Sequence, residues 1–424
     1  MNISKEDILG GLLNAALLMY AMILSPTIIA GGVGKEFFGA LMTTTIIVTI
    51  IFTLANGIYA RVPFAQSVYM GENAFFAFSL VGAGIPFATA LGIVFWAGVL
   101  FFIISVSGLR ARFGKAIPKN LSLIWGFAVA AFLLYLAFSD AGLIKGSTTG
   151  LPTLPANYKD LPVLSFFALA IFIVILYKKL PEAIKGISIL ASIALALIIA
   201  PAIFKISYPS LIFGIDDPSK VIFILNFVDA WNYAYLILIF LLIELVDVTG
   251  TLKALLAPMK RDDDEKVIER VMHVEGVSTA AGAFFGQPTV GTYIESAGAV
   301  AVGARTGMAS VVTAIVFIPV LFITPFFSQL PLQVLLWATA PALAAVAAFI
   351  LLKVMQEIDF RAEPGNVILL LFTFPGIFGG NLLIAFVLPM IALAGYEYFT
   401  ERKMGMPNLI LSLIGLVTLV LYHF

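Results

Sequence analysis

The chain has 424 residues, a formal net charge of zero and only 11% charged residues, with a mean hydropathy of +1.08. Soluble proteins carry about a quarter charged residues, so a soluble globular domain is excluded, and the balanced charge leaves no basic footprint for nucleic acid. The lack of cysteine excludes disulfides and thiol chemistry. The two histidines, His273 and His423, cannot build a histidine-rich metal site.

Apolar windows of about 20 residues, enough for one membrane crossing each, follow one another at 8–29, 39–60, 63–82, 86–107, 119–138, 161–177, 185–204, 233–256, 268–284, 287–303, 306–327, 331–353, 383–398 and 407–423. They do not alternate in polarity, which excludes a β-barrel. The reading is an all-α polytopic membrane protein with fourteen spans. Segment 364–380, rich in glycine and holding Pro375, is a further apolar stretch of re-entrant or interfacial character. The first window is too long for the apolar part of a cleaved signal and reads as a span.

Three basic groups mark one face: Arg110, Arg112, Lys115 and Lys119; Lys178, Lys179 and Lys185; and Lys253, Lys260, Arg261, Lys266 and Arg270. The positive-inside rule puts them, and the N-terminus, in the cytoplasm. An offset of about 221 residues relates the halves: "VGAGIPFATALGIVF" (81–95) aligns with "VGARTGMASVVTAIVF" (302–317). Seven spans per half is an odd number, so the second half enters from the opposite side. That makes an inverted repeat, which places a substrate near the midplane on discontinuous helices.

The third and tenth spans correspond under this offset, and both are interrupted. The third reads "VPFAQSVYMGENAFFAFSL", with strand-like residues between Pro63 and Gly71; the tenth reads "GQPTVGTYIESAGAVAVG", with Thr289, Val290 and Thr292 before a helix starts near Tyr293. Irregular backbone at membrane depth survives only inside protein or beside a water-filled cavity.

Five acids fall inside spans: Glu72, Glu244, Asp247, Glu275 and Glu295. An acid in a bilayer costs about 2.5 kcal/mol or more on insertion scales, and marks function by default. Glu244 and Asp247, three apart, share one helix face. No basic residue is spaced to neutralise the five, so they are protonated, share protons or meet a ligand bearing N–H donors. That suits a neutral heterocycle with a coupling proton and suits an inorganic anion badly. Glu244 and Glu295 are the leading ligand candidates. Glu72 either caps the half-helix beginning near Asn73 or faces the ligand. Asp247 either bonds Thr249 or Thr251 or couples protons. Glu275 ties the ninth span to amides of the broken spans or couples protons. Phe75 offers a face on which a base stacks. No HExxH and no histidine cluster argues for an enzyme.

"GENAFFAF", "LVDVTGTL" and "GTYIESAGAVAVGARTG", in this order and spacing, resemble the nucleobase–ascorbate transporters (xanthine/uracil permeases). Within them the chain is similar to the AzgA-like adenine/guanine/hypoxanthine permeases; "ATAPAL" and "EIDF" fit the same branch. The resemblance implies fourteen spans in two inverted seven-span repeats, with short strands in spans 3 and 10. It also implies a core domain (1–110 and 216–329) and a gate domain (111–215 and 330–424). It implies substrate binding by Glu244, Glu295 and Asn73 and structural or proton-coupling roles for Asp247 and Glu275; the residues themselves add Phe75, Thr292 and Gln287 as candidate substrate neighbours and Glu72 as a further structural or proton-coupling acid. Two positions depart from the branch. Glu72 stands where it has an apolar residue, and Gln287 and Pro288 stand where it has small hydroxyl residues. The expectation is a purine nucleobase importer of the cell (plasma or inner) membrane, driven by proton symport, with no metal or organic cofactor and a homodimer through the gate domain. A uracil permease, or a sulfate-type anion transporter of the same architecture, is the alternative.

Overall fold

Backbone inside a bilayer must satisfy its own N–H and C=O groups, and apolar runs do so as helices. The computed structural model describes residues 3–108, 117–145, 159–360, 363, 365–401 and 405–422; Arg110, Arg112, Lys115 and His423 lie outside the described residues. The first half comprises α1 (Lys5–Leu18), α2 (Ala21–Val33), α3 (Phe38–Ala55), β1 (Gln66–Val68), α4 (Met70–Ala74), α5 (Phe87–Val106), α6 (Lys119–Asp140), α7 (Leu161–Lys179) and α8 (Ile187–Phe204). The second half comprises α9 (Ala234–Leu256), α10 (Glu265–Phe284), β2 (Val290–Thr292), α11 (Ala297–Ala301), α12 (Met308–Leu321), α13 (Thr324–Ser328), α14 (Leu332–Glu357), α15 (Gly365–Phe378), α16 (Leu382–Glu401) and α17 (Met406–Leu421).

Among the described residues, nine helical stretches are long and apolar enough to cross a membrane. The other crossings are short, broken or charged at one end: β1 with α4, α10, β2 with α11, α12 and α17. The strands fall in the third and tenth spans, where Pro and Gly interrupt the helical pattern.

Two regions are more elaborate than their apolar windows. The first span is two helices. At the joint, the Met22 and Ile23 amides turn back to the Met19 and Tyr20 carbonyls at 3.2 Å, i→i+3 bonds that tighten the helix locally. Segment 365–378 is a helix packed in an antiparallel hairpin with α16 and resting on α6. Its approach needs glycine: a Cβ on Gly376 would lie 2.1 Å from the Ala385 backbone nitrogen. α17 then folds back along α16, with Gly415 beside Val387 and Met390.

The two halves pack by the same rule. α5, the fourth span, lies against α9 and α10, the eighth and ninth; α12, the eleventh, lies against α1 and α3, the first and second. β1 and β2 meet antiparallel, with Gln66 opposite Thr292, Ser67 opposite Gly291 and Val68 opposite Val290. Matching elements that run in opposite directions are what an inverted repeat produces.

The remaining long helices form a second group, in which α6 packs on α14, α15 and α16, and α14 packs on α7 and α8. This group presents large apolar side chains outward, among them Ile171, Ile198, Leu352, Leu371 and Phe399. So much exposed apolar surface is stable only against a partner of the same polarity; here that partner is lipid.

Candidate functional site

Two strands of three residues each cannot stand alone, and two polar helix faces hold them. On α3 and the π-helical turn that continues it (Asn56–Ala60), Thr45, Thr49, Thr53 and Asn56 form one stripe. Thr49 and Ser67 share a hydrogen bond between hydroxyls at 2.8 Å. Thr53 donates to the Gln66 carbonyl at 3.1 Å and accepts the Gln66 amide at 2.9 Å. Asn56 donates to the Phe64 carbonyl and to Thr292 Oγ1, each at 3.4 Å. α10 does the same for β2. Ser278 donates to the Val290 carbonyl at 2.6 Å, Thr279 accepts the Val290 amide at 3.3 Å, and Glu275 accepts the Thr292 amide at 2.8 Å. The backbone groups released by breaking two spans are thus satisfied by side chains of the second and ninth spans, as burial requires.

The residue after each strand is a tyrosine, and the two act reciprocally. Tyr69 donates to the Thr292 carbonyl at 3.0 Å, and Tyr293 donates to the Val68 carbonyl. Their rings stack with centroids 6.0 Å apart. Gly291 makes room for Tyr69 beside Glu275: a Cβ there would lie 2.4 Å from both the Glu275 carboxylate and the Tyr69 ring.

The acids gather at this crossing. Glu244 is fully buried; Thr279 donates to its Oε1 at 2.6 Å, and Oε2 has no hydrogen-bond partner among the described residues. Glu275 accepts Tyr69 OH at 3.4 Å in addition to the Thr292 amide. Glu295, half-buried, accepts Tyr20 OH at 2.5 Å. Glu72 is 6% exposed and Asn73 is 0% exposed. Oε1 of Glu72 and both amide atoms of Asn73 have no hydrogen-bond partner among the described residues. Asp247 is exposed, although Leu245 and Val248 beside it are buried, and it lies within electrostatic reach of the other four acids. Thr249 donates to the Leu245 carbonyl at 2.7 Å rather than to Asp247.

The other candidate residues stand around this cluster. Phe75 is enclosed between Phe240 and Phe386, at centroid distances of 4.9 and 5.6 Å, where α16 meets the half-helix. Thr292 is committed to holding strands. Gln287 is turned to α3: it accepts from Thr45 at 3.1 Å and donates to Thr44 at 2.6 Å and to the Leu41 carbonyl at 3.1 Å. Among the described residues no hydrogen bond joins it to the acids. His273 takes part in a separate contact with Tyr59, at 2.9 Å.

Ion pairs among the described residues join Lys185 to Glu182 and Arg261 to Asp264, His273 lies 3.8 Å from Glu269, and none of these cationic groups reaches the five acids. Arg261 holds the Asp264 carboxyl below the usual carboxylate range from its loop; the cluster has no such cation. Buried polar groups are ordinarily hydrogen-bonded. A set of unmet acceptors beside one unmet amide is chemically equipped to take N–H donors and to return a donor. Sequence reading missed Tyr20, the Tyr69–Tyr293 pair and the hydroxyl faces. The thr–asn spacing along 45–56 was a legible signal; Tyr20, a lone hydroxyl in an apolar window, carried none.

A family model described as a permease family matches residues 5–379. The guanine/hypoxanthine permease PbuO of Bacillus subtilis is 29% identical over 86% of this chain and 86% of its own length. The adenine permease AdeQ of Escherichia coli is 29% identical over 81% of this chain and 76% of its own length. Among solved structures, the transmembrane domain of the cyanobacterial bicarbonate transporter BicA superposes with a TM-score of 0.59 at 17% identity, covering 92% of this chain and 96% of that one. That likeness concerns the fold.

Proposed function

The chain belongs to the permease family of the xanthine/uracil permeases, and from that premise we propose that it imports purine nucleobases by proton symport with alternating access. The observation that carries this reading is the group of five acids without a cation, set beside the partnerless amide of Asn73 at the crossing of two broken spans. A purine edge supplies ring N–H and amine donors to carboxylates, and ring nitrogens or a carbonyl to an amide. An inorganic anion would meet only repulsion there. The relatives named for guanine, hypoxanthine and adenine support the same substrate class.

In this reading Glu244 Oε2 and Glu295 accept from the base, and Asn73 completes the edge. Phe75 backs the site, Thr292 holds the strands together, and Gln287 ties the start of the tenth-span break to α3. Asp247, Glu275 and Glu72 carry the coupling proton, since like charges this close cannot all ionise. Residues 1–110 and 216–329 form a core that moves against a gate of 111–215 and 330–424, with the gate pairing two copies. The protein lies in the plasma or inner membrane with its N-terminus in the cytoplasm, as its basic loops direct.

The test is uptake of labelled adenine, guanine, hypoxanthine, xanthine and uracil in a host that lacks its own transporters. Purine uptake that collapses when the proton gradient is dissipated is the expected result. Folded protein in the membrane with no uptake of any base refutes the reading.

A further inference from the structure

Tyr20 belongs to none of the motifs that mark the site. It is fully buried at the joint between α1 and α2, and its hydroxyl donates to Glu295 Oε1 at 2.5 Å. Apart from the carboxyl's contact with its own backbone amide, no hydrogen bond from another residue is seen on the other oxygen, Oε2, among the described residues. Tyr20 is enclosed, whereas Glu295 is half-buried. The two oxygens of one carboxyl group therefore have different surroundings, one committed to the protein and one free.

We propose that Tyr20 is a positioning residue that commits Glu295 Oε1 to the protein, so that of the two oxygens of Glu295 it is Oε2 that meets the purine and holds the proton whenever this carboxyl is protonated. This rests on the assignment of Glu295 to the base. A phenol in this site has a single proton to give, and Oε1 takes it in both states of Glu295. Ionised, Oε2 accepts from a ring N–H; protonated, it donates to a ring nitrogen or a carbonyl. The last torsion of a glutamate is broad, so without Tyr20 the carboxyl turns freely and either oxygen serves either role. The other titratable groups facing Glu295 are Tyr293 after β2 and Asp247 on α9, with Glu72 on α4 reaching it through Asp247. None of these is a cation that would do the same work.

Tyr20→Phe keeps the ring and removes only the hydroxyl. Losing a hydrogen bond to a charged group costs about 10-fold or more in binding. The expected result is a rise of that size in the KM for the imported purine, with Vmax per folded molecule held within about twofold. A second readout is competition by ring-N-methylated purines. The unsubstituted chain prefers the parent base over the analogue methylated at the contacted nitrogen, and Tyr20→Phe shrinks that preference by about the same factor. A tyrosine that merely fills space would change the amount of folded protein and leave both ratios alone. Glu295→Gln keeps an acceptor for Tyr20 but turns the free position into a permanent donor, so it loses uptake while unfolding at an unchanged temperature. Purine uptake by the unsubstituted chain together with unaltered KM and analogue preference in Tyr20→Phe overturns this inference and leaves the functional reading standing. No uptake by the unsubstituted chain overturns both.

Discussion

Gly291→Ala tests whether the strand crossing is built to tolerance. The added methyl would stand 2.4 Å from Glu275 Oε2 and 2.4 Å from the Tyr69 ring, about 1 Å inside ordinary contact. Neither neighbour has room to give freely. Glu275 is held by the Thr292 amide at 2.8 Å, and Tyr69 by the Thr292 carbonyl at 3.0 Å. Moving both by about 1 Å takes each bond past hydrogen-bonding distance. A bond to a charged group contributes about 1.5–3 kcal/mol and a neutral one about 1 kcal/mol, so the substitution should destabilise the protein by about 2–4 kcal/mol. The assay is thermal unfolding of purified protein in detergent, paired with purine uptake. A clear drop in unfolding temperature and a loss of uptake are expected. An unfolding temperature and uptake equal to those of the unsubstituted chain would show that the crossing is not tightly packed, and would refute the reasoning.

Three further outcomes are expected. Gly250→Ala, one turn from Asp247 on α9, adds a methyl with nothing within 4 Å; it should stabilise the helix by up to about 1 kcal/mol, seen as a raised unfolding temperature with uptake retained. Glu244→Gln replaces the fully buried carboxyl that Thr279 contacts at 2.6 Å; purine uptake should fall at least about 10-fold, with the protein still folded on size-exclusion chromatography. Asp216, in the loop between α8 and α9, has its carboxyl raised above the usual range by burial, against the opposing hydrogen bond from Ser328. A raised folded value means the folded state holds the proton more tightly than the unfolded one, so stability falls as pH rises through the window between the two. Asp216→Asn should therefore raise the unfolding temperature at neutral pH, and the gain should vanish on acidification below the ordinary carboxylate value; a gain that persists unchanged there refutes it.

Much of this protein was written in local pattern. The apolar windows mark most crossings, because helix formation in a bilayer depends on a run of residues and little else. Pro63 and Gly71, and Gly286 and Pro288, mark the two breaks because proline and glycine act on their own backbone. Glu72, Glu244, Asp247, Glu275 and Glu295 were visible as acids out of place. The offset of seven spans between the two breaks announced that they were a pair.

What the sequence by itself determined, then, is composition along the chain: which runs cross, where they break and which acids are carried inside. Only the tertiary structure decided who meets whom. Tyr20 reaches Glu295 across 275 residues, Tyr69 reaches Thr292 across 223, and Gln287 turns to Thr44 and Thr45 on α3, away from the acids. Segment 365–378 gained its place as one arm of a hairpin through the close fit of Gly376 to Ala385. The physical reason is that a hydrogen bond or a close approach depends on positions set by packing of whole helices, and no local spacing encodes those positions when the partners lie in opposite halves of an inverted repeat.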